Sequence, residues 1–133
     1  MAFEIRWEAQ GVCRQYRGFV DGDELLASIQ QVEGDRRFDQ IRYVINDFLE
    51  VAGHDVPAAK MRLIAAIDKA AALSNPNIRV AIVATSAQIQ ALAQLYAGAA
   101  QPYPTEIFAN LAAARAWIES SPLLDIPRPL LGR

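Results

Sequence analysis

Cysteine, histidine and clustered glycine are all scarce in this 133-residue chain, and each shortage closes off a class of function. With Cys13 as the single cysteine, no internal disulfide can form, and a reducing compartment is expected. His54 is the single histidine, so a metal site would have to rest on scattered carboxylates, a poor donor set for zinc. Gly11, Gly18, Gly22, Gly34, Gly53, Gly98 and Gly132 all stand alone, so no Gly-rich phosphate loop is encoded. An excess of basic charge is missing too. The formal net charge is −2 and the isoelectric point about 5.3, which leaves no footprint for nucleic acid or an anionic membrane. No apolar run can cross a bilayer, because Arg79, Arg115 and other polar residues interrupt every candidate. Met1 to Trp7 alternates apolar and charged residues and has no apolar secretion core. A cytoplasmic protein with no cofactor, no nucleic-acid partner and no membrane insertion is the expectation.

What is present reads as an ordinary folded domain: 53% apolar and 21% charged residues, enough to bury a core at this length. Phe3, Ile5 and Trp7 alternate with Glu4, Arg6 and Glu8, the period of a half-buried strand. A second strand runs from Val12 to Val20, joined through Ala9-Gln10 or Gln10-Gly11; both loops fit. Either register puts Glu4, Arg6 and Glu8 with Cys13, Gln15 and Arg17 on a charged outer face. The other face carries Phe3, Ile5, Trp7, Val12 and Tyr16, with Arg14 near Trp7.

Asp21 caps a helix whose Leu25, Leu26, Ile29 and Val32 share a face, and Gly34 ends it. A polar loop, Asp35 to Gln40, leads into a strand Ile41–Phe48. A loop through Asp55 then precedes a helix from about Pro57 to Ser74, with Met61, Ile64, Ile67 and Ala71 inward. After the Asn75-Pro76-Asn77 break, the β-branched run Ile78–Ala84 predicts an internal strand. Ser86 caps a helix carrying Ile89, Leu92, Leu95 and Tyr96. Thr105–Ala109 is a last strand, and Asn110 caps a helix with Leu111, Ala114, Trp117 and Ile118 together. The order ββαβαβαβα predicts an α/β fold: a mixed, mainly parallel five-stranded sheet with about four helices. Residues 1–120 are expected to form the domain. Residues 121–133 form a proline-rich apolar tail whose Leu123, Leu124, Ile126, Leu130 and Leu131 seek a groove on the domain or on a neighbouring subunit.

Gly22-Asp23-Glu24-Leu25-Leu26, Arg42-Tyr43-Val44-Ile45-Asn46-Asp47-Phe48, Arg79 to Thr85, and Ile107-Phe108-Ala109 followed by Ala114-Arg115-Ala116-Trp117 resemble small bacterial SpoIIAA-like proteins of the STAS and SEC14 group. The resemblance spans roughly residues 1–119 and implies a scaffold more than an activity. Its STAS side implies a regulatory module that binds a partner kinase. That module is switched by a phosphoserine just after the strand corresponding to Ile41–Asp47, in a pattern resembling Asp-Ser-Ser/Thr-Gly. Here that stretch reads Asp47-Phe48-Leu49-Glu50-Val51, so the aspartate is kept and the acceptor is not. Phosphorylation at that place is not expected. The SEC14 side implies a lipid or small apolar ligand.

Ligand sites in open parallel sheets gather at the carboxyl ends of the strands. That rule singles out Asp47, Phe48, Leu49, Glu50, His54, Thr85 and Ser86 as candidate binding residues. For Ser86 a helix cap is the simpler explanation. The expected function is non-catalytic regulation through a protein partner at the Asp47–Asp55 loop, with self-association into a homo-oligomer. The alternative is a carrier of a small apolar or amphipathic ligand, and the third reading an enzyme using His54 with Asp47 or Glu50.

Overall fold

The computed structural model describes residues 3–99 and 102–129. Alternation in the first segment produces β1 (Phe3–Trp7), which pairs antiparallel with β2 (Gly11–Asp21). Of the two loops open to it, the hairpin takes Ala9-Gln10: Trp7 faces Val12, and the Glu8 amide donates to the Gly11 carbonyl at 2.8 Å. Gly11 lies directly against the Tyr43 ring, where any Cβ would collide with it.

α1 (Gly22–Glu33) begins with a capping box, in which Asp21 and Glu24 each satisfy the other's backbone N–H. β3 (Tyr43–Asp55), α2 (Ala58–Ala71), β4 (Arg79–Val83), α3 (Ala87–Gly98), β5 (Thr105–Phe108) and α4 (Leu111–Glu119) complete the domain. The strands lie in chain order β1-β2-β3-β4-β5, and β2 to β5 are parallel. Successive right-handed crossovers that always step the same way must all pass over one face. α1, α2 and α3 accordingly pack on one side, over Val12, Tyr16, Val44, Val80 and Ile82. α4 follows the edge strand and returns over the opposite face, on Cys13, Ile45, Ala81 and Val83.

Several sequence expectations change on this frame. The outer face of the hairpin is not uniformly charged, because α4 covers one end of it and buries Cys13. There Glu8 accepts a bidentate pair from Arg115 at 2.6 and 2.7 Å, together with the Tyr43 hydroxyl. Arg37 lies over the Trp7 ring at 4.3 Å, while Arg14, opposite Ile5 in the hairpin, lines a cavity under the helices. The polar loop holds a 3₁₀ turn, Arg36–Gln40, that drives Phe38 into the core. In α2 the inward row is Met61, Ile64, Ala65 and Asp68, so a carboxylate takes the place expected for Ile67. In α3, Ala93 is buried and Leu95 is exposed. Asn75, read only as a helix break, is a buried hub: its amide donates to the carbonyls of Phe38 and Ile41, both at 2.8 Å.

The tail packs on its own domain as far as it is described. Ser121 caps a 3₁₀ turn, Pro122–Asp125, and Leu124 reaches the α4-side cluster. Gln10 donates to the Leu124 carbonyl at 3.0 Å, buried Arg42 to that of Pro127 at 3.1 Å, and Arg128 to that of Ala9 at 2.7 Å. Leu130 and Leu131 lie outside the described residues.

Candidate functional site

β3 is longer than its sequence suggested, and this reshapes the site. The stretch from Asp47 to Asp55, expected as a loop, continues as strand for the full 13 residues of β3. β4 ends at Val83, opposite Asp47, so among the described residues the later part of β3 pairs only with Arg17–Asp21 of β2. The result is a two-stranded parallel ribbon that extends past the sheet. Two register breaks, at Gln15/Arg17 and Gly18/Phe19, bend it. Gly18 sits at the second break with φ of 65°, a conformation that side-chain-bearing residues resist.

The residues singled out from sequence divide along this ribbon. Asp47 is buried, and its carboxylate accepts the Leu49 amide at 2.9 Å, closing the first break. Phe48 turns toward the helices and stacks on Tyr16, with ring centroids 4.5 Å apart and planes within 5°. Leu49 is exposed. Glu50 is exposed beside Gln15 and Arg17, accepting from the Gln15 amide at 2.9 Å. His54 closes the ribbon: its Nδ1 accepts the Val56 amide at 2.9 Å, which leaves the ring proton on Nε2. A strand advances about 3.3 Å per residue, so His54 stands on the order of 20 Å from Asp47 and about 13 Å from Glu50. The acid–histidine pairs are therefore not assembled.

Ser86 caps α3, accepting the Ile89 amide at 3.2 Å, and Thr85 is exposed beside it. The ribbon passes the first turn of this helix, since a Cβ on Gly53 would lie 3.8 Å from Gln88 Oε1 and 3.7 Å from the Phe19 ring. Phe19 was missed, and it is the most telling residue of the group. It is 58% exposed at the ribbon's outer end. The signal was present in the sequence, because Phe19 is an aromatic in the same alternate row as Gln15 and Arg17.

A second feature lies at the ribbon's base, under α1, α2 and α3. A cavity of about 40 Å³ is bounded by Arg14, Asn46, Phe48, Ile64, Asp68 and Tyr96, among others. Arg14 is only 7% exposed, and its Nε–H donates to Asn46 Oδ1 at 2.8 Å. Asp68 accepts the Tyr96 hydroxyl. Burial first, and then Asp68, push Glu33 up to about 9, so it stays protonated at neutral pH. Burial and the same carboxylate also raise the Tyr96 hydroxyl well above the usual phenol range.

No family model and no curated protein matches the chain. Solved structures do. The anti-sigma factor antagonist SpoIIAA, in its unphosphorylated form, superposes with a TM-score of 0.62 at 11% identity, over 90% of this chain and 100% of that one. The chain has a SpoIIAA-like fold. An uncharacterized protein of the DUF3478 family with a SpoIIAA-like fold, from Shewanella loihica, gives 0.52 at 17% identity over 88% and 92% of the two chains. The Bacillus cell fate determinant SpoIIAA in its phosphorylated form gives 0.53 at 12%, over 88% and 99%. The SpoIIAA-like assignment made from sequence holds for the fold, as does the mixed five-stranded sheet.

Proposed function

We propose that this protein is a non-catalytic regulatory module that binds a protein partner through the outer end of its β2–β3 ribbon. The observation that carries this reading is Phe19, 58% exposed toward the outer end of a ribbon that extends past the sheet, with Leu49, 38% exposed, nearer the ribbon's base. A large aromatic left in water gives up the ~1.5–3 kcal/mol that full burial returns, and aromatic anchors dominate protein interfaces. The pairing edges of a two-stranded ribbon add backbone donors and acceptors that an extended partner segment can use. The fold is shared with an anti-sigma factor antagonist, a protein named for its action on another protein. No serine or threonine occurs between Asp47 and Pro57, so control in this stretch would not use a hydroxyl acceptor. The small-ligand carrier reading draws less support, since a 40 Å³ cavity falls far below the ~300–1,000 Å³ of typical ligand pockets.

Photo-crosslinking in the native host tests the proposal. A photoreactive phenylalanine analogue at position 19 or 49 should trap one discrete protein, while the same group at exposed Leu95 on α3 should not. Identical adducts from all three positions, or none from 19 and 49, would contradict it.

A further inference from the structure

The Arg14 guanidinium is left with more donors than acceptors. Its Nε–H is taken by Asn46, and this is the only hydrogen bond its side chain makes among the described residues. Among those residues no carboxylate oxygen lies within 4.0 Å of it. A carboxylate, that of Asp68, lines the same cavity without coming within ion-pair distance, and the Arg14 terminal N–H groups, unlike Arg42 Nε, are not sealed off from open space. The remaining N–H groups belong to a residue that lines the 40 Å³ cavity, whose other walls include Ile64, Ile82 and Leu92.

We propose that this cavity is a binding site for a short-chain carboxylate, held by Arg14 with its apolar end against Ile64, Ile82 and Leu92. Size and chemistry agree on this class. One water needs about 10–15 Å³ of such space, so a cavity of this volume takes roughly three or four heavy atoms, the size of acetate. A planar carboxylate matches the guanidinium fork, and its methyl suits the aliphatic walls better than an inorganic anion does. Asp68 faces the same space and repels an anion, but its charge is partly taken up by the hydrogen bond from the Tyr96 hydroxyl. Phe48 is a wall of the site and the first ribbon residue beyond β4, so an occupant would lie against the base of the partner-binding element.

The test is a titration of the isotope-labelled full chain with sodium acetate, followed by NMR, with sodium chloride at equal ionic strength as the control. Acetate should displace the Arg14 Nε–H and Asn46 side-chain amide signals saturably, and chloride should not. Arg14→Met should remove the effect. Ala93→Leu is a second variant that keeps Arg14: Ala93 is another wall of the cavity, so the larger side chain fills it and should weaken binding by roughly tenfold or more. Asp68→Asn should tighten binding by removing the repelling charge. A displacement shared with chloride, a response without saturation, an unchanged response in Ala93→Leu, or weaker binding in Asp68→Asn would overturn the proposal.

Discussion

Replacing Glu33 with Gln should stabilise the protein at mildly alkaline pH and flatten its dependence on pH. Glu33 holds its proton up to about 9 in the folded state, against an ordinary value of 4.5, because burial and Asp68 both disfavour its charge. Between those values the folded protein binds a proton that the unfolded chain releases, so stability falls as pH rises through the window. Below 4.5 both states are protonated and Glu33 adds no slope. Each unit of the gap is worth about 1.4 kcal/mol. Partial solvent access reduces the sum, leaving roughly a few kcal/mol, still a large share of a small domain's ~5–15 kcal/mol. Gln keeps a donor for Asp68 and has nothing to lose. Glu8 works from the other side: Arg115 holds its carboxyl below the ordinary value, so its contribution is present above that value and is lost on acidification. Urea unfolding across a pH series should show the alkaline decline in the native protein and little of it in Glu33→Gln. Parallel declines in both would mean that Glu33 ionises as an ordinary carboxylate.

Ending the chain at Ser121 should cost roughly 3–5 kcal/mol. Leu123, Leu124 and Ile126 are half-buried in the folded protein, and removing them uncovers the surface they pack on, including the α4-side cluster under Leu124. The sharper loss falls on Arg42, which is 2% exposed and already has an Nε with no partner among the described residues. Without the Pro127 carbonyl its guanidinium keeps only the Ile41 carbonyl at 3.0 Å and the long contact to Asn75 at 3.5 Å. A buried donor stripped of its acceptor carries its desolvation cost uncompensated. Scanning calorimetry should report a markedly lower melting temperature, and analytical ultracentrifugation would reveal any change in assembly. Unchanged stability would make the tail a passive extension.

The fold was legible because its signals are local. Alternation in β1, the Asp21 and Asn110 caps, and the β-branched run of β4 each follow from neighbouring residues, and element order then fixes the sheet. What escaped depends on distant partners. Asp68 breaks the apolar row of α2, and only Tyr96 and Glu33, brought near by packing, explain why a carboxylate is there. Glu50, Gly53 and His54 carry polar or turn-forming signals that read as loop, and pairing with Arg17–Asp21 overrides them. Asp47, Glu50 and His54 looked like one constellation while the segment was taken as a loop, and an extended strand separates them. Phe48 and Leu49 were visible as a pair, but only the strand's alternation assigns one to the cavity and the other to solvent.

The central claim, that the ribbon's outer end is the partner-binding surface, turns on Phe19. Once the crosslinked partner is in hand, its affinity for the native chain and for Phe19→Ser can be compared by isothermal titration calorimetry. An interfacial aromatic anchor is worth about 2 kcal/mol or more, so binding should weaken by roughly thirtyfold or beyond, while the melting temperature of the free protein stays within a degree or so. Equal affinity for the two proteins, with the fold of both intact, would contradict the account.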